Sequence, residues 1–255
     1  MAHQFSRLEL MFGQEGYQLF RNSTVAVLGV GGVGSFTVEA LARTGIGRLV
    51  ILDKDCVDIT NINRQIHSTL ETVGQPKVEV MKKRIASINP ECDVVTLQTF
   101  YREDTAHELF SYPLDYVVDA MDTVSAKLHL ILECKERNIS FISSMGAANK
   151  IDPTQFKVAD LFDTSYDPIA KVLRRELRKR GIKKGVPVVY STESPIKIHE
   201  EVLPEVVADP DSPIRKVTSP PASNGFVPSV AGLILASVVV RGLLEKNGIE
   251  IQREG

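Results

Sequence analysis

The sequence predicts an α/β protein: a doubly wound, mostly parallel sheet with an antiparallel C-terminal extension. Three observations lead there. Short apolar runs alternate with segments of helical spacing from residue 24 to residue 146, as βαβ units require. A glycine-rich turn, Gly29 to Gly34, stands between the first run and the first periodic segment. Acids fall at the carboxyl ends of two runs, Asp53 and Asp119, and ligands of such sheets bind beyond those ends. Right-handed crossovers make the arrangement Rossmann-like.

Residues 8–22 read as a helix leading into a first strand at 24–28. The glycine turn opens a helix from Val33 to about Thr44, and RLVILD at 48–53 is a buried second strand. A helix follows over 76–89, with Pro76 in its first turn and a stop at Asn89-Pro90. DVVTLQTF at 93–100 is a third strand, 103–111 a short helix, and DYVVDA at 115–120 a fourth strand. Residues 124–138 form a helix and 140–146 a fifth strand.

The pattern then changes. QFKVADL at 155–161 and PVVYSTES at 187–194 read as strands of an antiparallel extension, with a basic helix at 167–185 between them. Residues 203–225 are rich in Pro and Ser and read as a mobile loop; a helix at 227–246 closes the chain. Residues 1–150 thus form a nucleotide-binding core and 151–255 an extension, within one domain of 255 residues.

Composition sets limits. The chain is 43% hydrophobic and 24% charged, with a formal net charge of -2, so no global field draws in a polyanion. Cys56, Cys92 and Cys134 are odd in number and contain no CxxC pair, which argues against a zinc ribbon or a disulfide scaffold and fits a reducing cytoplasm. The N-terminal residues hold no apolar stretch and are not a signal peptide. Phe226 to Leu244 is the one long apolar run; Pro228 and Arg241 interrupt it, so it reads as a buried or interface helix rather than a membrane span.

Gly29, Gly31 and Gly34 fit G-x-G-x-x-G, which lets backbone N–H groups approach a phosphate at a helix start. Asp53 lies 19 residues beyond Gly34, where a carboxylate reaches a ribose hydroxyl. The loop alone does not separate NAD, FAD and ATP. No catalytic His or Tyr-x-x-x-Lys pattern supports a dehydrogenase.

Further motifs follow in order: Gly29-x-Gly31-Gly32-x-Gly34, the pair Asp53/Asp55, Asn61-x-x-Arg64-Gln65, Gly74-x-x-Lys77, and Asp119-x-x-Asp122. With these the chain resembles the ubiquitin-activating-type superfamily, which adenylates carboxylates with ATP. Adenylation gathers three phosphates and a carboxylate in one pocket, so cations are needed there. The resemblance gives Arg64 and Lys77 the phosphates, Asp122 a Mg²⁺ ion, Asp53 the ribose, and Asn61 a phosphate or loop-ordering bond. Asp55 and Gln65 belong to the same motifs, with a loop acid and a packing group as their alternatives. His67 reads as packing or support. In the superfamily an arginine from the N-terminal helix of the other subunit often completes the site; Arg7 stands at the matching place and implies a homodimer.

Members serving ubiquitin-like or sulfur-carrier proteins usually carry two CxxC pairs and often a cysteine nucleophile, and this chain shows neither. Cys134, inside a helix, reads as a core residue. The remaining stretches resemble the tRNA threonylcarbamoyladenosine dehydratases: NRQIH, VGQPKVEVMKKRIASINPEC, DAMDTVSAK, IDPTQFKVADL, DPIAKVLRRELRKRGI and FVPSVAGLILASVVVR. That resemblance implies ATP-dependent adenylation of the threonyl carboxylate of a modified tRNA adenosine, then ring closure by a nucleophile of the substrate itself. It admits a sulfur-relay protein as a further partner. The competing reading is an activating enzyme for a carrier-protein C-terminus. A tRNA needs phosphate contacts, and Lys171 to Lys184 hold eight basic residues against Glu176. Lys171, Arg174, Arg175 and Arg178 share one helical face, and Lys179 extends it. Tyr190 and Phe226 are candidates to stack on bases, against core packing.

Overall fold

The computed structural model describes residues 2–202 and 221–251. One seven-stranded sheet runs through them in the order β3-β2-β1-β4-β5-β7-β6. The strands are β1 (Thr24–Leu28), β2 (Arg48–Leu52), β3 (Asp93–Leu97), β4 (Tyr116–Asp119), β5 (Ser140–Ser144), β6 (Phe156–Asp160) and β7 (Pro187–Ser191). The helices are α1 (Ser6–Asn22), α2 (Gly34–Arg43), α3 (Lys77–Ile88), α4 (Ala106–Leu109), α5 (Val124–Glu136), α6 (Pro168–Lys179) and α7 (Val227–Lys246).

Strands β1, β2 and β4 are buried almost throughout, as a sheet covered on both faces requires. Two apolar clusters cover it: α1, α2, α3 and α7 supply one, α5 and α6 the other. The strand order reverses between β1 and its neighbours β2 and β4, all parallel. The loops leaving β1, β2 and β4 therefore open a crevice at their carboxyl ends.

The two strands of the extension pair antiparallel, as the sequence predicts. β7 pairs with β5 in parallel, and only β6 runs antiparallel, as an edge strand on β7. A helix, α6, separates β6 from β7, yet the chain leaves β6 at Asp160 and enters β7 at Pro187 opposite it, so the two strands run antiparallel.

Several boundaries move inward for local reasons. β3 stops at Leu97, opposite the last residue of β2. The Thr105 hydroxyl accepts from Arg102 N–H and donates to Phe100 O, so the short helix starts only at Ala106. Gly181, at φ +77°, ends α6 well before residue 185. Gly13, at φ +70°, kinks α1 where one helix was expected. Of the loop read at 203–225, residues 203–220 lie outside the described residues; 221–225 have irregular backbone.

α7 is long and apolar enough to span a membrane, yet 61% of its most apolar window is buried inside the protein. It packs closely on α2. A Cβ on Gly232 would lie 2.3 Å from Val33 O, and Thr37 Oγ1 donates to Gly232 O at 3.0 Å. The helix reads as core because its apolar residues face protein on more than one side.

Candidate nucleotide site

The crevice holds a cavity of about 390 Å³. Its first wall is the glycine turn. Gly29 sits at φ +86°, and a Cβ there would meet Ala120 O at 2.7 Å. A Cβ on Gly34 would meet Gly29 O at 1.8 Å, so Gly34 closes the turn against itself and does not line the cavity. Gly31 and Gly32 line it, and around Gly31 there is open space for a ligand to approach the backbone.

Asp53 forms the floor. Its Oδ2 accepts from Val30 N–H at 2.7 Å and its Oδ1 from Asp55 N–H at 2.9 Å. Burial pushes its carboxyl above the usual range, opposed by the Lys77 ammonium. Asp53 therefore shapes the glycine turn as well as facing the cavity. Lys77 is buried at the start of α3, and its Nζ donates to Asp55 Oδ2 at 3.2 Å. Asp55 is half exposed and holds the ammonium at the cavity edge.

The Asn61–Gln65 segment arrives as a short 3-10 turn, Ile59–Asn61. Asp58 caps it, accepting from Thr60 N–H at 2.8 Å, while Asn61 Oδ1 accepts from Asp58 N–H at 3.1 Å. This reciprocal box fixes the backbone that carries Arg64. Arg64 Nη1 donates to Thr60 O at 2.7 Å and to Asn63 Oδ1 at 2.9 Å. Burial lowers its pKa, with Asp58 opposing, so a partly desolvated guanidinium faces the cavity. Such a cation gains more from a phosphate than one in water.

The loop after β4 brings in Asp122, exposed at the rim, where its Oδ1 accepts from Thr123 Oγ1 at 3.2 Å. Asp119 lies behind, buried against Lys127 Nζ at 3.1 Å and accepting from Ser143 Oγ at 2.6 Å. It supports the strand end and does not line the cavity. Among the described residues no group of three or more His, Cys, Asp or Glu is arranged to hold a metal alone. One carboxylate beside a phosphate site does suit Mg²⁺, which takes its other ligands from phosphates and water.

The cavity thus gathers Gly29, Gly31, Gly32, Asp53, Asp55, Asn61, Arg64, Gln65, Lys77 and Asp122. Arg7 is exposed on α1 and does not line it within one chain. A family model for the ThiF family matches residues 4–253. The chain belongs to the ThiF family.

This ThiF-family chain is 61% identical over 253 residues to the tRNA threonylcarbamoyladenosine dehydratase of Bacillus subtilis (strain 168), covering 99% of this chain and 98% of that one. It is 42% identical over 198 residues to the protein of the same name in Escherichia coli (strain K12), covering 75% and 74%. The crystal structure of the E. coli tRNA N6-threonylcarbamoyladenosine dehydratase, TcdA, in complex with ATP superposes with a TM-score of 0.84 at 35% identity, over 96% of this chain and 95% of that one. Its complex with AMP gives 0.82 at 34%, over 98% and 100%.

The ThiF-family cavity also has walls that sequence patterns missed. Thr99, Phe100 and Tyr101 line one side; Ala147, Ala148 and Pro228 line another. They carry no motif chemistry, and only tertiary packing brings them to the crevice. His67 stands outside the lining, buried, with both ring nitrogens lacking a hydrogen-bond partner among the described residues.

The basic helix departs from one expectation. Arg174 turns inward: its Nη1 donates to Thr164 O at 3.0 Å and also bonds the Thr164 hydroxyl. The reason is the Leu161–Asp163 3-10 turn beneath α6, whose carbonyls need donors. Lys171, Arg175, Arg178 and Lys179 remain exposed; Arg175 and Lys179 also pair with Glu176, and Arg178 lies over the Phe162 ring. Tyr190 is buried in the core, while Phe226 is half exposed at the start of α7.

Proposed function

We propose that this chain is an ATP-dependent tRNA threonylcarbamoyladenosine dehydratase. The convergence of the phosphate-ready glycine turn, Arg64, Lys77 and Asp122 on one cavity carries the reading. The threonyl carboxylate attacks the α-phosphorus of ATP, forming an acyl-adenylate and releasing pyrophosphate. A nucleophile of the same side chain then attacks the activated carbonyl, the ring closes, and AMP leaves. The product has lost one water.

Backbone N–H groups of the glycine turn receive phosphate oxygens. Arg64 and Lys77 stabilise charge that grows on the departing pyrophosphate. Asp53 holds the turn and takes the ribose, and Asn61 keeps the Arg64 segment in place. Asp122 would hold Mg²⁺, which would supply positive charge to offset the phosphates when bound.

The exposed part of the basic helix, Lys171, Arg175, Arg178 and Lys179, would meet tRNA phosphates; Arg174 serves the fold first. Arg7 would complete the site of a second copy in a homodimer. The α1 surface supports this, since Leu10 and Met11 beside it are 88% and 69% exposed. A sulfur-relay protein is a further proposed partner, and the cytoplasm the proposed location. Thioester chemistry of the carrier-protein type has no support at Cys134, which is fully buried with its thiol pushed up to about 12 by burial.

The test is direct. The protein is incubated with ATP, Mg²⁺ and tRNA bearing threonylcarbamoyladenosine, and nucleosides are read by mass spectrometry. Loss of one water from the modified base, with AMP formed, is expected. An unchanged base sinks the reading.

A further inference from the structure

Tyr166 joins β6 to α6 and does not fit a purely structural role. It is 76% exposed, so its ring gains little from burial. Its φ is +61°, the left-handed region, which is unfavourable for a bulky residue. Glycine or asparagine would hold that backbone at lower cost.

The neighbours impose the conformation. Asp167 is buried; its Oδ1 accepts from Ala170 N–H at 2.8 Å and caps α6. Its Oδ2 accepts from Gly146 N–H at 2.9 Å. Its own N–H donates to Ser165 O at 2.8 Å, and Pro168 follows. Gly146 leads into Ala147 and Ala148, which line the nucleotide cavity. Tyr166 is therefore one residue from a carboxylate that ties the basic helix to the cavity wall. Lys171 stands exposed one turn along α6.

We propose that Tyr166 is a nucleobase-stacking residue, its ring exposed at the start of the basic helix to receive an unpaired base of the substrate RNA. The proposal rests on the tRNA reading above. Proteins bind RNA loops by stacking splayed bases on aromatic rings while cations take the backbone. Here Tyr166 immediately precedes Asp167, which caps the basic helix and bonds Gly146 beside the cavity wall.

The test compares tRNA affinity, ATP affinity without tRNA, and thermal unfolding across variants. Tyr166→Ala should weaken tRNA binding roughly ten- to hundred-fold. Its salt slope should not change, because stacking releases no counterions. Tyr166→Phe should bind within about two-fold of the unchanged protein. Tyr166→Gly should bind as poorly as Tyr166→Ala while unfolding no earlier, since it relieves the left-handed strain. ATP affinity should be constant throughout. Normal tRNA affinity in Tyr166→Ala overturns the proposal, as does a Phe variant as weak as the Ala variant. Earlier unfolding and weaker ATP binding in Tyr166→Gly would make the ring structural and overturn it too. So would an unchanged protein that binds no tRNA. If that protein binds tRNA but removes no water from the base, the functional reading fails and the affinities still decide the stacking.

Discussion

Arg64 and Lys77 line the cavity as cations, and each is held by its own fold-derived contacts. Replacing either with Ala should spare the fold, because Arg64 bonds local loop groups and the Asp55 partner of Lys77 is already half exposed to water. Both variants should form AMP at least about 100-fold more slowly, the scale for a lost donor to developing charge. Near-normal turnover in either would remove that residue from the mechanism. His67 makes a different claim. Burial, with Lys77 and Arg84 nearby, lowers its pKa from 6.5 to about 4. Between those values the unfolded chain binds a proton that the folded one refuses. Stability from this group is therefore complete above pH 6.5 and is lost as pH falls toward 4. From pH 7 to pH 5 the loss is on the order of 2 kcal/mol. Urea unfolding of His67→Leu should show a pH slope smaller by that amount; an identical slope would assign the acid sensitivity elsewhere. The sequence read His67 as packing or support but could not show two nitrogens without partners among the described residues, which depend on what packs around the ring.

At the scale of elements, the glycine turn and the basic helix behave differently. Gly29→Ala must place a Cβ 2.7 Å from Ala120 O at a positive φ. The expected cost is about 2 kcal/mol or more, with ATP binding weakened as the turn shifts. Calorimetry and a melting curve read both, and a stable, ATP-competent variant would refute the close approach. In α6, neutralising Lys171, Arg175, Arg178 and Lys179 should lower the salt slope of tRNA binding by about 3 and leave ATP binding intact. Arg174→Ala should instead lower the unfolding midpoint, because it bonds the turn beneath the helix. An unchanged salt slope in the fourfold variant would move the tRNA surface elsewhere. Helical spacing put Arg174 with the outward residues, and only the turn packed below α6 drew it in.

At the scale of the whole molecule, the homodimer reading assigns Arg7 to a partner's site. Arg7→Ala and Arg64→Ala proteins should each be inactive alone. Mixed and allowed to exchange subunits, they should recover about a quarter of full activity, since each mixed dimer keeps one intact site. No recovery, or a monomeric mass by light scattering, would end that assignment. The sequence by itself determined the alternation of strands and helices, the glycine turn, and which cations and carboxylates belong together. Period, turn chemistry and strand-end acids are local, and they survive without knowledge of the fold. Tertiary structure alone decided that β7 runs parallel beside β5 and that Thr99–Tyr101 and Ala147–Ala148 close the cavity. It also decided that Arg174 points inward and Tyr166 outward. Strand direction, burial and side-chain facing are set by contacts between segments far apart in the chain, and no local pattern encodes them.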